Sequence, residues 1–327
     1  MPRLAKLVQH PLGRGLLFGL LIIGSLAYVV TARNFLYSTV FSPTSSISEH
    51  DLNTNPAAVL AHWTVASMDA AANDDLVVGN TSDVAPENSD TTKGKAAQQD
   101  GHAPSDGSLG YPFSTVGKIF FSDSSGQNYV CSGTAIESLN HNTVDTAGHC
   151  LYWHNNWMQN VIFCPLYDRG NTPFGCWAAR ALEVPADWIN RKLTDLHHDF
   201  GMIIVSPNSS GDLTDAVGGA GWAYNQSTNQ AFYAYGYPAG SPFDGQTRQS
   251  CDKGSVGQSW KHGGGTVISI PCNMTGGSSG GPWFIKSGGK WYLNGHNDFT
   301  SSLKYGHMFS PYYEDTWYAL YNKAQHT

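Results

Sequence analysis

Charge is scarce in this chain. Asp, Glu, Lys and Arg make up 13% of its 327 residues, the net charge is -7, and nowhere do Lys and Arg gather into a basic stripe. That excludes the electrostatic footprint on which nucleic-acid binding rests. No Cys-x-x-Cys pair occurs, so a zinc site lacks its usual ligand spacing, and neither metal nor cofactor is expected. The apolar run Leu16–Val30 falls short of the roughly 20 residues that cross a bilayer comfortably. There is no internal repeat, and no alternation of strands with long helical patterns of the kind that builds a parallel α/β sheet.

What is abundant points elsewhere. Hydrophobic residues reach 41%, enough for one large domain or two small ones, and 36 Gly, 16 Tyr and 10 Trp suit an all-β, loop-rich extracellular protein. Arg3, Lys6 and Arg14 precede the apolar run, and small residues follow it up to Ala32. That order is a secretory signal over residues 1–32, with an uncleaved anchor holding the domain outside the membrane as the alternative. All six cysteines (Cys131, Cys150, Cys164, Cys176, Cys251 and Cys272) lie beyond residue 130. An even number in an exported chain implies three disulfides, each worth about 3 kcal/mol through restriction of the unfolded chain. Fifteen pairings are possible, and sequential pairing is the expectation.

Residues 33–109 differ in texture from the remainder of the chain. Asn80–Gly110 is polar and almost free of large apolar side chains, too poor in burial to offset chain entropy, so it reads as a disordered linker. The preceding "PAAVLAHWTVASMDAAA" has helical promise, and the two together read as a pro-segment removed on maturation, or else a permanent stalk. From residue 110 onward the chain is made of short β-branched and aromatic runs: "VGKIFFS", "QNYVCSGTAI", "HNTVDTAG", "GMIIVS", "QAFYAYGY", "GTVISI" and "KWYLNGH". Turn clusters separate them, which predicts an antiparallel barrel or sandwich. "PYYEDTWYALYNKA", from Pro311, is the best helix candidate, with acids early and Lys323 late.

"TGGSSGGPW", from Thr275 to Trp283, carries the chemistry. A serine hydroxyl attacks only if a base takes its proton and donors hold the oxyanion that forms. With Ser279 as nucleophile, its own N–H and that of Gly277 can converge on the oxyanion, and Gly-Gly-Pro comes directly after it; with Ser278 the frame fits less well. His149, beside Cys150 in "VDTAGHC", is the candidate base. Asp199, in "HHDFGMIIV", stands just before an apolar run and can orient an imidazole from a partly buried position. Asp195, His197 and His198 are ordinary loop residues or alternative partners.

"CSGTAI", "TAGHC", "DFGMIIV" and "GGSSGGPW" together resemble the four signatures of the chymotrypsin-like serine peptidases, in that family's order, over roughly Tyr111–Tyr313. The secreted microbial glutamyl-endopeptidase-like branch is nearest in character. The resemblance implies an all-β fold of two six-stranded antiparallel barrels with the active site between them. It implies His149 as general base, Asp199 as its orienting partner, Ser279 as nucleophile, an oxyanion hole from the N–H groups of Gly277 and Ser279, and a Cys131–Cys150 disulfide. Protein or peptide substrates, a monomer, and no membrane contact unless the N-terminal segment is retained are expected with it.

Some positions depart from the family. Ser278 stands where many animal members carry the Asp that receives a new N-terminal ammonium, so that activation switch is not expected here. Asn273, six residues before Ser279, replaces the acid that selects Lys and Arg. His296, in "LNGHNDF", falls where glutamyl endopeptidases keep a carboxylate-binding histidine, although Met274 replaces their usual Thr or Ser. Asn80, Asn208, Asn225 and Asn273 begin Asn-x-Ser/Thr sequons. Two rival readings stand beside this one. Gly-x-Ser-x-Gly also matches an α/β-hydrolase elbow, but only 48 residues come after Ser279 and that fold needs its acid and histidine there. A peptidase fold that has become a silent secreted binding module would keep these residues without using them.

Overall fold

The computed structural model describes residues 46–73, 77–78, 85–87, 90–93, 97–102, 110–190 and 195–327. The signal expected at 1–32 and the sequon at Asn80 lie outside them. All seven runs expected as strands form strands. β1 (Val116–Ser122), β2 (Asn128–Ala135), β3 (Thr143–Thr146), β4 (Gln159–Pro165), β5 (Trp177–Pro185) and β6 (Gly201–Val205) pair antiparallel in the ring order β5-β4-β1-β2-β3-β6, and β6 returns to β5. The ring is a closed barrel, although β2 and β5 run past their ring neighbours and keep an open edge at Tyr129–Val130 and at Ala181–Pro185. Alternation along β1 shows why it forms: Ile119 and Phe121 point into the barrel with Val144, Phe163, Leu182 and Ile203, while Phe120 packs outside against Trp63 and Tyr167. Lys118 is buried on that outer face, donates to the Gly245 carbonyl at 2.9 Å, and has its pKa lowered by burial to about 8.

The second half contains β7 (Ala231–Gly236), β8 (Gln249–Val256), β9 (Gln258–His262), β10 (Gly265–Pro271), β11 (Pro282–Ser287), β12 (Lys290–His296), β13 (Phe299–Ser301) and β14 (His307–Pro311). They pair as β8-β7-β11-β12 and as β13-β14-β10-β9. Phe232, Ala234, Trp283, Ile285 and Tyr292 from the first sheet meet Ile268, Ile270 and Met308 from the second in one core. The architecture is the expected two β-halves. The antiparallel sheets of both halves leave no place for the α/β-hydrolase alternative, which needs a parallel sheet with helical crossovers. The three disulfides pair sequentially: Cys131–Cys150, Cys164–Cys176 and Cys251–Cys272.

Helix α1 covers Asp315–Ala324, four residues later than the sequence suggests. Pro311 instead ends β14, opposite Val267, and the chain beyond it buries Tyr312 and Tyr313 before the helix begins. Trp317 on α1 is fully buried, stacks on Tyr313, and donates its indole N–H to Asp145 Oδ2 at 2.7 Å.

The N-terminal region is built onto this frame. Strand Ile47–Asp51 pairs antiparallel with β5, and the helical promise resolves into two short helices, Pro56–His62 capped by Asn55 and Val65–Asp69 with a Thr64–Ser67 capping box. Val59, Trp63 and Met68 are buried in the apolar cluster that contains residues of both halves. Within the stretch read as disordered linker, residues 85–86 pair with β9 and 97–99 with strand Trp222–Tyr224. Backbone hydrogen bonds hold these pieces, which is why their polar side chains give no sign of order. Among the described residues no helix is long and apolar enough to cross a membrane.

Replacing Trp317 with Ala should cost about 3–5 kcal/mol, the range for an aromatic core truncation. It also strips Asp145 of a donor. Urea unfolding of the variant in a Ser279→Ala background measures this; a loss below about 1 kcal/mol would mean the helix is not part of the core.

Candidate active site

β3 delivers His149. After Thr146 the chain makes a tight turn, Gly148–Cys150, and the Cys150–Cys131 disulfide ties that turn back to β2. β6 is preceded by a second tight turn, Leu196–His198, whose next residue is Asp199. The two loops meet in a dry site. Asp199 is fully buried and its carboxylate accepts twice from one residue: Oδ1 from the His149 backbone N–H at 2.7 Å and Oδ2 from ring Nδ1 at 2.9 Å. A carboxylate cannot donate, so the proton sits on Nδ1, and Nε2 keeps its lone pair in the neutral ring. Nε2 has no hydrogen-bond partner among the described residues.

The serine loop is shaped by two glycines. Gly277 has φ +91°, a left-handed backbone that a side chain would strain, and it reverses the chain between Thr275 and Ser279. Gly280 abuts the histidine loop so tightly that a Cβ there would lie 2.0 Å from Thr146 Oγ1 and 2.8 Å from the Ala147 nitrogen. The Ser279 carbonyl accepts from the Ser132 N–H at 2.7 Å, which joins the loop to β2. The two serines then differ. Ser278 donates its hydroxyl to the Thr275 carbonyl at 2.7 Å, whereas the Ser279 hydroxyl makes no hydrogen bond among the described residues. The N–H groups of Ser278, Gly280 and Gly281 are committed to Thr275, Asn297 and Ser278. Those of Gly277 and Ser279 donate to nothing described. An arrangement with an unspent hydroxyl, an unspent imidazole nitrogen and two unspent N–H groups can carry out acyl transfer.

Beside Ser279 lies a pocket lined by Thr275, Asp298, Phe299, Thr300 and Met308, and Thr275 and Thr300 also wall an adjoining cavity of about 390 Å³. Of the residues expected to meet substrate, Asn273 and Met274 line that cavity. His296 does not. It is completely buried, its Nδ1 is bonded to the Tyr313 hydroxyl at 2.9 Å, and its Nε2 donates to the Asp199 carbonyl at 3.0 Å. With both nitrogens engaged it supports Asp199 from behind and has none to offer a substrate carboxylate. The cavity contains a different histidine, His307, whose Nδ1 meets the Ser269 hydroxyl at 3.2 Å. Burial and then Lys304 lower the His307 pKa below 6.5. Among the sequons, Asn225 is buried with its amide on Asp315, and the Asn208 amide is spent on two backbone carbonyls. Both amides are thus engaged in the folded protein.

Asp298 is a site residue that the sequence reading does not find. It is buried next to the pair, with Oδ1 3.4 Å from His149 Nδ1. Its signal lies in "GHNDF": in extended chain, residues two apart share a face, so a side chain two after His296 faces the same site. Burial opposes a charge on His149, but Asp199 and then Asp298, where both acids are ionised, overcome it and raise its pKa to about 10. Two further groups are close enough to suggest a cation. Cys131 and Cys150 beside His149 are spent in a disulfide, and the Asp195 carboxylate is taken by Nδ1 of both His197 and His198. Burial opposes ionisation of Asp195, yet those two hydrogen bonds hold its pKa well below the usual carboxylate range.

No family model and no curated protein matches the chain. Solved structures do. A thermostable serine protease, AL20, from an extremophilic microorganism is 38% identical with a TM-score of 0.59, over 65% of this chain and 98% of its own. The protease Anisep from Arthrobacter nicotinovorans is 33% identical with a TM-score of 0.59, over 71% of this chain and 100% of its own. A Glu endopeptidase in complex with MPD is 17% identical with a TM-score of 0.50, over 70% of this chain and 98% of its own, and shares the fold.

The two serines can be told apart directly. Ser278→Ala should keep full reaction with a fluorophosphonate while losing about 1 kcal/mol of stability with its hydrogen bond. Ser279→Ala should abolish the reaction, and persistence of label in that variant would reverse the assignment.

Proposed function

The chain belongs to the chymotrypsin-like serine peptidases and is a serine endopeptidase; we propose that it is secreted and works through Ser279, His149 and Asp199. In this reading Ser279 Oγ attacks the scissile carbonyl as Nε2 of His149 takes its proton. Asp199 holds Nδ1 and stabilises the imidazolium that results. The N–H groups of Gly277 and Ser279 receive the oxyanion. His149 returns the proton to the departing amine, and a water then repeats the sequence to release the acyl group. The observation that carries the reading is the contrast within one turn: Ser278, Gly280 and Gly281 have spent their donors, and Gly277 and Ser279 have not. The three disulfides support export, as does the signal-like start.

The test uses residues 110–327, disulfide-bonded. Fluorophosphonate should label Ser279, and Ser279→Ala or His149→Ala should lower peptide turnover by about 10⁶. A folded chain that neither labels nor cleaves would instead be a binding module on a peptidase fold.

An acidic preference would rest on His307 in place of His296, because His307 is the residue in the cavity wall that can become cationic. The sign comes from its lowered pKa. A substrate Glu is ionised above about pH 4.3, and His307 is charged only below 6.5, so attraction exists between these limits. The kcat/KM ratio for Glu over Gln substrates should peak near about pH 5 and fall towards unity by about pH 8. His307→Gln should flatten it; a ratio that stays high at pH 8 in the variant would remove His307 from specificity.

Residues 33–109 are the proposed pro-segment, and two of its strands suggest how it silences the enzyme. Ala72–Asn73 pairs with Tyr129 and Val130 of β2, next to Cys131, whose disulfide partner adjoins His149. Val77–Val78 pairs with Thr300 and Ser301 of β13, the wall of the cavity. Both pairings are parallel. The acyl half of a substrate belongs on the pocket side, along β13, and its leaving half passes His149 towards β2. The described pieces come in the opposite order, 72–73 on β2 before 77–78 on β13, so each edge is occupied by chain of the direction opposite to a substrate's. Removal by another route then exposes the cleft, with no ion pair at Ser278 needed. The intact chain should react with fluorophosphonate at least about tenfold more slowly than residues 110–327, a modest demand on a cleft edge that must first be vacated. Equal rates would leave the segment a mere stalk.

A further inference from the structure

Asp298 is a buried acid for which the triad mechanism has no use. It is 3% exposed, its backbone N–H donates to the Phe309 carbonyl at 2.9 Å, and neither carboxyl oxygen has a hydrogen-bond partner among the described residues. A buried carboxylate in that condition is costly, because nothing replaces the water it has lost. Yet it does not stand alone: one ligating atom each from Asp298, Asp199 and His149 lies within 4.8 Å of the others, and Asp298 Oδ1 is 3.4 Å from the same Nδ1 that Asp199 holds at 2.9 Å. Two acids therefore face one imidazole in a site closed to solvent.

We propose that Asp298 is a positioning residue of the triad: a neutral carboxylic acid that directs its proton towards the Asp199 carboxylate, so that Asp199 alone carries charge beside His149. The inference rests on the peptidase reading above. Which acid holds the proton is decided by their partners. Asp199 accepts two hydrogen bonds from His149, and both favour its ionised form. Asp298 accepts none. Burial first, and then the nearby Asp199 charge, raise the Asp298 pKa well above the carboxylate range, whereas His149 lowers that of Asp199 against its burial. Tyr313, Asp145 and His296 border the pair. Tyr313 is kept neutral by burial and by Asp145, and its hydroxyl donates to Asp145 Oδ1 at 2.6 Å; His296 is turned to Tyr313 and to the Asp199 carbonyl.

The location of that proton decides whether His149 can serve. Were both acids ionised, they would hold the imidazolium up to about 10, and the base would be spent before a substrate arrived at neutral pH. With Asp298 protonated, the resting site holds one negative charge, on Asp199. Proton transfer from Ser279 then gives an imidazolium paired with one carboxylate, and no second charge resists its return. The acid thus supplies a donor to Asp199 without supplying a charge to His149.

The test is the pH dependence of kcat/KM for the active form purified from the full expressed chain carrying Asp298→Ala or Asp298→Asn. Ala removes the donor and should lower kcat/KM by about 10- to 100-fold, as for loss of a group that orients the triad. Asn has the same shape, a donor and no charge, and should recover most of that loss. The acid limb, which reports His149, should stay within about half a pH unit of wild type in Asn. A limb that falls by about one unit or more in Asn would show that Asp298 is ionised in the wild type and overturn the proposal. So would an Ala variant indistinguishable from wild type. Should Ala not fold, the Asn limb still decides. The His149 ring titration, followed by NMR in a Ser279→Ala background with and without Asp298→Asn, gives the same comparison without catalysis. Failure of the wild-type chain to cleave peptides would count against the peptidase reading and leave that titration standing.

Discussion

A carboxylate cut off from water must be satisfied by protein, and Asp199 is the one on which both halves of this molecule converge. The first barrel supplies the residue itself and the His149 backbone and ring that bond it. The second half reaches it through His296, which donates to its carbonyl, and through Asp298. Neither half contains a complete site. The cleft is where it is because the strand ends that carry Asp199 and His149 are the ends that the Ser279 loop packs against, through Ser132 and Gly280.

A second buried acid, Asp145, shows the same rule answered differently. It accepts from the Tyr313 hydroxyl and from the Trp317 indole, two neutral donors that balance its lone pairs without adding charge. Tyr313 also meets His296, so a continuous set of hydrogen bonds runs from α1 through Asp145, Tyr313 and His296 to Asp199. The C-terminal helix is therefore tied into the site from behind, and a polar network so fully satisfied holds one geometry better than apolar packing alone. Against these two acids the lack of partners on Asp298 stands out as a difference in protonation, since three neighbouring acids would otherwise place three charges in one dry region.

What can be read from the sequence is what is local. The seven strands announce themselves through alternation, and the serine turn through glycines whose conformation no other residue adopts easily. Cysteines near in sequence pair because two of the bridges join neighbouring strands or turns, and the third, Cys251–Cys272, ties the two sheets of the second half together. What cannot be read depends on which face a side chain takes. The motif puts His296 at the substrate, but its ring turns inward, where Tyr313 and the Asp199 carbonyl await it. Asp298 meets Asp199 and His149 only through the packing of a second-half loop against the first barrel. The helix begins late because Pro311 and the two tyrosines after it belong to strand and core. Residues 85–86 and 97–99 are legible as polar and no more, since pairing through the backbone needs no particular side chain.

That last property bears on how such an enzyme is kept quiet. A cleft that cuts extended peptides must present strand edges with free backbone groups, and free edges invite pairing with any chain at hand. Side-chain recognition would be a poor guard, because whatever fits the pocket well is a candidate substrate. Direction is a better one. A segment that pairs in parallel with Tyr129–Val130 and with Thr300–Ser301 satisfies the edges through its backbone while running against the order of nucleophile, pocket and leaving group. In the proposed reading of residues 33–109 as a pro-segment, such a chain binds and remains uncut because its protection lies in polarity and not in sequence.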